Sequence, residues 1–321
     1  MRTIDWDGGE IVIIDQTALP AEERWLRLTT VDDVVSAIQR LAVRGAPAIG
    51  VAGAFGVALA ARTLAGPELD AAVTRLADAR PTAVNLARGV ALAAAQLDAG
   101  ADAVLGAALA LRDAEIEASA AMAVRGADLV TSLCGPSPRL LTHCNTGGLA
   151  TVVGGTALAV VAELHERGTL DSVIASETRP LLQGARLTAW ELGRLGVPYR
   201  IAVDGAGPFL MARGEVDAVI VGADRICANG DVINKVGTYA HALGAQAAGV
   251  PFLVVAPEST MDPATACGAD VPIEDRTPGE ILGYAGTRVA PDGAAAANPA
   301  FDVTPHTLVT AIITDTRVVH P

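Results

Sequence analysis

From Leu140 to the end of the chain, short apolar runs alternate with stretches that suit helices, and few folds accommodate that rhythm. The runs lie at 140–143, 172–176, 199–203, 218–221, 252–255 and 309–314. Helices are expected near 149–167, 184–195, 209–213, 231–249 and 278–282. Strand and helix in alternation build a mainly parallel sheet. The first run ends in the polar turn His143-Cys-Asn-Thr-Gly-Gly148, and an apolar stretch follows. Such a turn lies at the carboxyl edge of the sheet, where α/β proteins bind ligands. A helix opening at Leu149 would turn its positive end toward Cys144 and favour thiolate. The other reading of Cys144 is a small buried hydrophobe.

The first 130 residues follow a different pattern. Glu10-Ile-Val-Ile-Ile-Asp15 is a short β-branched run, and the alternating Arg24-Trp-Leu-Arg-Leu-Thr29 can pair with it. Asp32 or Asp33 can cap a helix to about Val43. Pro47 suits the first turn of the next helix, which runs to about Leu64. Further Ala-rich helices are expected at 67–78, 85–97 and 101–129. Two domains are therefore expected: 1–130, mostly helical with a small antiparallel sheet, and 131–321, α/β. The turn-forming residues 130–139 serve as the linker.

Composition excludes several classes of function. Acidic residues outnumber basic ones 36 to 23, a net charge of −13, which disfavours nucleic acid and anionic membrane surfaces as partners. Aromatic residues make up 3% of the chain, too few for base-stacking platforms. Mean hydropathy is +0.40, which raises the question of a membrane span. The uncharged stretch Gly45–Ala61 is Ala- and Gly-rich and only 17 residues long. It reads as a buried helix, since a span needs about 20 strongly apolar residues. The polar start, Met1-Arg-Thr-Ile-Asp-Trp-Asp, is not a secretion signal. Cys134, Cys144, Cys227 and Cys267 have no CxxC spacing, which argues against zinc and for a reducing, cytoplasmic setting.

Several strand ends carry polar clusters that would share one edge of the sheet with Cys144. They are Glu177-Thr-Arg-Pro-Leu-Leu-Gln-Gly184, Asp204-Gly-Ala-Gly207, Gly222-Ala-Asp-Arg-Ile226 and Asn229-Gly-Asp-Val-Ile-Asn-Lys235. Four polar ends in register point to a site. Asp224 is either half of an ion pair with Arg225 or a partly desolvated carboxyl suited to proton transfer. Asn234 and Lys235 would enter a helix and could hold a phosphate there; the other reading is a surface lysine. Arg44-Gly-Ala46 precedes a helix and fits anion binding, with Gly45 allowing close approach of the backbone. Arg80-Pro-Thr-Ala-Val-Asn85 has the form of a helix start with an exposed guanidinium. No GxGxxG or Walker pattern is present, so no nucleotide cofactor is expected.

Several of these segments resemble the methylthioribose-1-phosphate isomerase family, which is related to the regulatory subunits of translation initiation factor 2B. They are Val43-Arg-Gly-Ala-Pro-Ala-Ile-Gly50, Arg80-Pro-Thr-Ala-Val-Asn85, Thr142-His-Cys-Asn-Thr-Gly147, Glu177-Thr-Arg-Pro180, Gln183-Gly-Ala-Arg-Leu-Thr-Ala-Trp190 and Gly222-Ala-Asp-Arg-Ile226. The resemblance extends from Asp15-Gln-Thr17 to Ala311-Ile-Ile-Thr314. It implies a helical amino-terminal domain with a small sheet joined to a Rossmann-like domain, usually as a homodimer. It also implies an aldose–ketose isomerase of methionine salvage that uses neither metal nor nucleotide. Cys144 and Asp224 would be the catalytic pair. Arg44, Gly45, Ala46, Arg80, Gln183, Asn234 and Lys235 would contact the sugar phosphate.

Three segments depart from the family pattern: Gly154-Gly155, Gly205-Ala-Gly-Pro208 and Ala295-Ala-Ala297. They bear on the group at C5 of the sugar. They leave open 5-deoxyribose 1-phosphate and ribose 1,5-bisphosphate as substrates, the latter disfavoured because no extra cation is evident. A non-catalytic sensor subunit is the alternative from another class, and the joint presence of Cys144 and Asp224 favours the enzyme.

Overall fold

The computed structural model describes residues 1–81 and 83–321. The chain divides into two compact units, Met1–Ala123 with Thr146–Ala159, and Val124–Asn145 with Val160–Pro321. The division crosses the chain after Ala123, Asn145 and Ala159, where the sequence suggested a single boundary.

In the first unit, β1 (Ile4–Asp7), β2 (Glu10–Ile14) and β3 (Trp25–Leu28) form an antiparallel sheet in that order. β1 was not evident in the sequence, because two of its four residues, Asp5 and Asp7, are of a type depleted in strands. α1 (Val31–Gln39) begins at Thr30, whose side chain accepts from the Asp33 N–H while the Asp33 carboxylate accepts from the Thr30 N–H. The cap is thus Thr30, and Asp33 is the reciprocal member of a capping box. α2 (Ala46–Thr63) has Pro47 in its first turn, as expected. α3 (Pro67–Ala77), α4 (Val84–Ala94) and α5 (Ala101–Cys134) follow. α5 continues through residues 130–134, which the sequence suggested as linker.

By length and composition α2 could cross a membrane, yet 78% of it is buried inside the protein. Its glycines explain how. A Cβ on Gly89 of α4 would lie 2.1 Å from the Gly50 carbonyl oxygen of α2. A Cβ on Gly53 would lie 2.7 Å from Leu86. The helices therefore meet backbone to backbone, and Phe55, Val57 and Leu59 of α2 fill the core around them.

The second unit is built on β4 (Arg139–His143), α6 (Ala157–Glu166), β5 (Ser172–Ser176), α7 (Ala189–Leu195), β6 (Tyr199–Ala202), α8 (Ala206–Ala212) and β7 (Ala218–Val221). β8 (Arg225–Cys227), β9 (Val232–Lys235), α9 (Thr238–Ala248), β10 (Phe252–Val255), β11 (Met261–Asp262) and α10 (Gly279–Leu282) come next. β12 (Gly283–Tyr284), β13 (Thr287–Arg288), β14 (Phe301–Thr304), β15 (Ala311–Ile313) and β16 (Val318–Val319) complete it. Seven strands form the main sheet in the order β16-β15-β10-β7-β4-β5-β6. All neighbours are parallel except β15 and β16. The fold is α/β with a helical amino-terminal region, as the alternation required.

Two expected helices are corrected. Leu149 does not open a helix: residues 148–150 make one 3-10 turn, and α6 starts only at Ala157. Gly154 and Gly155 between them have φ of 73° and 105°, which no continuous right-handed helix admits. Residues 231–237 are not helical either. β9 belongs to a second sheet, ordered β11-β8-β9-β14, and the helix begins after Gly237 at φ 106°.

Candidate functional site

Three neighbouring strands of the main sheet, β7, β4 and β5, run parallel. Their register pairs Leu140 with Ala218 and His143 with Ser176. The residues that follow them therefore share one edge. Cys144 follows β4, residues 177–183 follow β5, and Asp224 comes three positions after β7. Asn234 and Lys235 end β9, whose Ile233 carbonyl accepts the Asp224 N–H at 2.9 Å. The sequence-derived residues of the second unit are thus carried by adjoining elements.

Cys144 is 9% exposed and has φ 59°, a left-handed conformation unusual for a side-chain-bearing residue. Its carbonyl accepts the Thr188 hydroxyl at 2.5 Å. With α6 starting thirteen residues on, no helix N-terminus directly follows this thiol, which corrects the expectation from sequence. Asn145 donates from Nδ2 to Thr188 Oγ1 at 3.2 Å and to Glu191 Oε1 at 2.7 Å.

His143 is fully buried under the turn. Its Nε2–H donates to the Val236 carbonyl at 2.9 Å, which leaves Nδ1 as the lone-pair nitrogen of a neutral ring. Nδ1 lies 3.2 Å from His241 Nε2, which is in turn 2.9 Å from Ser176 Oγ. Burial pushes the His143 pKa down to about 4 and that of His241 down to about 3. Glycine is required beside both rings. A Cβ on Gly237 would meet His143 Nε2 at 2.8 Å, and one on Gly207 would meet His241 at 2.3 Å. Gly207 lies in one of the segments that depart from the family pattern.

The Glu177 carboxylate accepts the Thr178, Gly184 and Ala185 N–H groups at 2.8, 2.9 and 2.9 Å. It thereby holds the start of the π-helical turn Gly184–Thr188 that leads into α7. Gln183 stands just before this turn, 4% exposed, and its Oε1 is buried with no hydrogen-bond partner. A buried acceptor left unsatisfied invites a donor such as a sugar hydroxyl.

Asn234 and Lys235 are strand residues and buried, which corrects both the helix-entry and the surface readings. Asn234 donates to Thr238 Oγ1 at 3.0 Å. Lys235 Nζ donates to the Ala300 carbonyl at 2.7 Å and sits 4.9 Å from the Phe301 ring centre. Asp302 accepts the Gly237 N–H at 2.7 Å and the Tyr239 N–H at 3.2 Å. Burial nevertheless raises its pKa to about 6. Asp224 is half-buried, and its neighbour Arg225 pairs with Asp262 at 3.2 Å.

The remaining residues singled out from the sequence belong to the first unit. Arg44 Nε donates to Gln16 Oε1 at 2.9 Å, and Gln16 Nε2 donates to the Leu149 carbonyl at 2.7 Å. Gly45 has φ 100°, and a Cβ there would lie 2.4 Å from the Ala150 carbonyl oxygen, so this position requires glycine. Ala46 opens α2. Arg80 is half-buried between α3 and α4; Thr82 of the same motif lies outside the described residues. Of the departing segments, Gly155 admits no side chain as the chain stands, since a Cβ would be 2.2 Å from the Thr146 carbonyl oxygen. Residues 295 and 297 are exposed.

Sequence reasoning missed Gln16, which holds Arg44 in the first unit, and Thr188, which holds the Cys144 carbonyl in the second. Both lie in quoted motifs, Asp15-Gln-Thr17 and Gln183-Gly-Ala-Arg-Leu-Thr188, but nothing in their residue types marks them. Among the described residues, no group of three or more His, Cys, Asp or Glu side chains could hold a metal ion.

The chain is similar to several known proteins along most of its length. A model of the initiation factor 2 subunit family matches residues 42–321. A protein of Anaeromyxobacter dehalogenans named methylthioribose-1-phosphate isomerase is 56% identical over 98% of this chain and 92% of its own. A protein of Nocardia farcinica is 54% identical over the whole chain and is named a probable bifunctional methylthioribose-1-phosphate isomerase/methylthioribulose-1-phosphate dehydratase. The chain spans 60% of that relative's length. The crystal structure of 5-methylthioribose 1-phosphate isomerase from Pyrococcus horikoshii OT3 superposes with a TM-score of 0.92 at 42% identity, covering 100% of this chain and 92% of that one.

Proposed function

From its place in the initiation factor 2 subunit family, to which this chain belongs, we infer that it is an aldose–ketose isomerase. It converts 5-methylthioribose 1-phosphate to 5-methylthioribulose 1-phosphate in methionine salvage. The observation that carries this reading is the identity of 56% across nearly the full length of a relative bearing that name. The placement of Cys144 and Asp224 after neighbouring parallel strands supports it.

The phosphate on C1 blocks the usual opening of the sugar by loss of the anomeric hydroxyl proton. Asp224 instead gives a proton to the ring oxygen as the bond from that oxygen to C1 breaks. The hydrogen on C2 then passes to C1, and the 2-hydroxyl loses its proton as C2 becomes the ketone. One C–H bond is lost at C2 and one is gained at C1 while C2 is oxidised and C1 reduced, so the net reaction needs no redox cofactor. Cys144 is assigned to this transfer as the thiolate that takes the C2 proton and returns it to C1. Carriage on sulfur brings solvent deuterium into C1 of the product, whereas a direct hydride shift keeps the original hydrogen.

Lys235, Arg44 and Arg80 are assigned to the phosphate, Gly45 and Ala46 to backbone contact with it, and Gln183 and Asn234 to sugar hydroxyls. Fixing the ring in this way can supply several kcal/mol of the barrier. The four cysteines are free thiols, which fits a cytoplasmic enzyme. A homodimer is the assembly that the resemblance implies.

The test is ketose formation by the purified full-length chain from 5-methylthioribose 1-phosphate, 5-deoxyribose 1-phosphate and ribose 1,5-bisphosphate. The methylthio sugar is expected to give the highest kcat/KM. Tight binding without turnover of any of the three would replace this reading with a sensor subunit.

A further inference from the structure

We propose that Thr188 is a positioning residue for Cys144, and that the π-helical turn Gly184–Thr188 is the device that presents it. The proposal rests on the reading of Cys144 as the catalytic thiol. Three observations converge on it.

The Cys144 backbone is left-handed at φ 59°, so something outside its own chain preferences must hold it. The group that meets its carbonyl is the Thr188 hydroxyl, at 2.5 Å and 0% exposed. A hydroxyl has one proton to donate, and here the Cys144 oxygen takes it. Thr188 Oγ1 accepts in return from Asn145 Nδ2 at 3.2 Å. The hydroxyl therefore donates to one and accepts from the other of two consecutive residues of the turn that bears the thiol.

The third observation is where Thr188 comes from. Residues 184–188 make a π turn, with the Ala189 N–H bonded back to the Gly184 carbonyl. A π turn holds one residue more than an α turn, so it shifts the helix face that follows. Thr188 and Glu191, three positions apart, then share a face, and both reach Asn145. At the other end the turn is fixed by the Glu177 carboxylate on the Gly184 and Ala185 N–H groups. Glycine is required at 184, where a Cβ would lie 2.6 Å from the Ser176 carbonyl oxygen. One short segment thus connects the end of β5 to the residue after β4. A Thr188 that merely satisfied a stray carbonyl would need neither the Asn145 bond nor the extra residue in the turn.

The experiment compares Thr188→Val, which keeps the shape and loses the hydroxyl, with Thr188→Ser, which keeps the hydroxyl. Each is read by kcat and KM, by melting temperature, and by the pH dependence of Cys144 alkylation with iodoacetamide. Cys144→Ser supplies the background from the other three thiols. Thr188→Val is expected to lower kcat at least about tenfold with KM within about twofold, and to shift the midpoint of the alkylation profile. Thr188→Ser is expected to restore both. An unchanged kcat and alkylation profile in Thr188→Val overturns the proposal. So does an equal loss in the two variants that follows melting temperature alone. If Thr188→Val is insoluble, Thr188→Ala takes its place; if neither folds while Thr188→Ser does, the hydroxyl is structural and the proposal fails. The alkylation profile uses no substrate. A Cys144→Ser variant that still turns over would refute the catalytic reading, whatever the Thr188 variants show.

Discussion

Replacing the sulfur of Cys144 by oxygen changes one atom in a buried turn whose main chain is held from outside. Cys144→Ser is therefore expected to abolish ketose formation while stability changes by less than about 1 kcal/mol. Asp224→Asn should behave alike, since Asp224 is half-buried and its backbone N–H bond to Ile233 is untouched. Kinetics and thermal melts on both variants check this; a large loss of stability in either would assign that residue to the framework instead. Lys235 differs, because its ammonium donates to the Ala300 carbonyl inside the protein. Lys235→Met leaves that oxygen without its ammonium donor, so it should cost about 1–3 kcal/mol as well as raise KM. A KM that stays unchanged would remove Lys235 from the phosphate site. The place of Cys144 and Asp224 at the sheet edge was legible in the sequence, because each follows an apolar run that reads as a strand of a parallel sheet. The left-handed φ of Cys144 and its bond to Thr188 were not, since both depend on a residue 44 positions away.

At the scale of single elements, the crossing of α2 and α4 makes a sharp prediction. Gly89→Ala would drive a methyl group to 2.1 Å from the Gly50 carbonyl oxygen, so the helices must separate. A loss of about 3 kcal/mol or more is expected, read from denaturant unfolding. The buried histidines make another. His143 and His241, with pKa near 4 and 3, stay neutral in the folded protein at pH values where the unfolded chain takes up two protons. Their contribution is therefore present above about pH 6.5 and is lost as pH falls toward 4. Asp302 acts in the opposite sense. Its pKa of about 6 means the folded state holds a proton that the unfolded chain lacks between about pH 4 and 6. Two protons against one leave a net fall of about 1.4 kcal/mol per pH unit near pH 5 from these groups. Asp302→Asn should roughly double that slope in denaturant titrations run from pH 6.5 to 5; an unchanged slope would show that Asp302 is ionised throughout. Among elements, β4, β5, β7 and β10 were legible to within a residue, since continuous apolar runs suit strands buried on both faces. β8, β9 and β11 were hidden because Arg225, Asn234, Lys235 and Asp262 break up their short apolar runs, and the Val232-Ile-Asn-Lys235 strand runs into α9 with only Val236 and Gly237 between.

For the molecule as a whole, the net charge of −13 means that a phosphorylated sugar must be met by a few local cations and backbone N–H groups rather than by a general field. The assembly expected is two chains, so sedimentation equilibrium should return twice the mass of one chain; a single-chain mass would remove the homodimer from the proposal. The alternation of strands and helices made the α/β class readable from the sequence. The course of the chain between the two compact units was less so, because residues 146–159 join the first unit through contacts far apart in sequence, such as Gln16 with Leu149 and Ser119 with Val153. The seat between α2 and α4 has a consequence for inheritance. One nucleotide separates a glycine codon from an alanine codon, so a silent-looking exchange at Gly89 could empty a cell of this enzyme while every group that meets the sugar stayed in place.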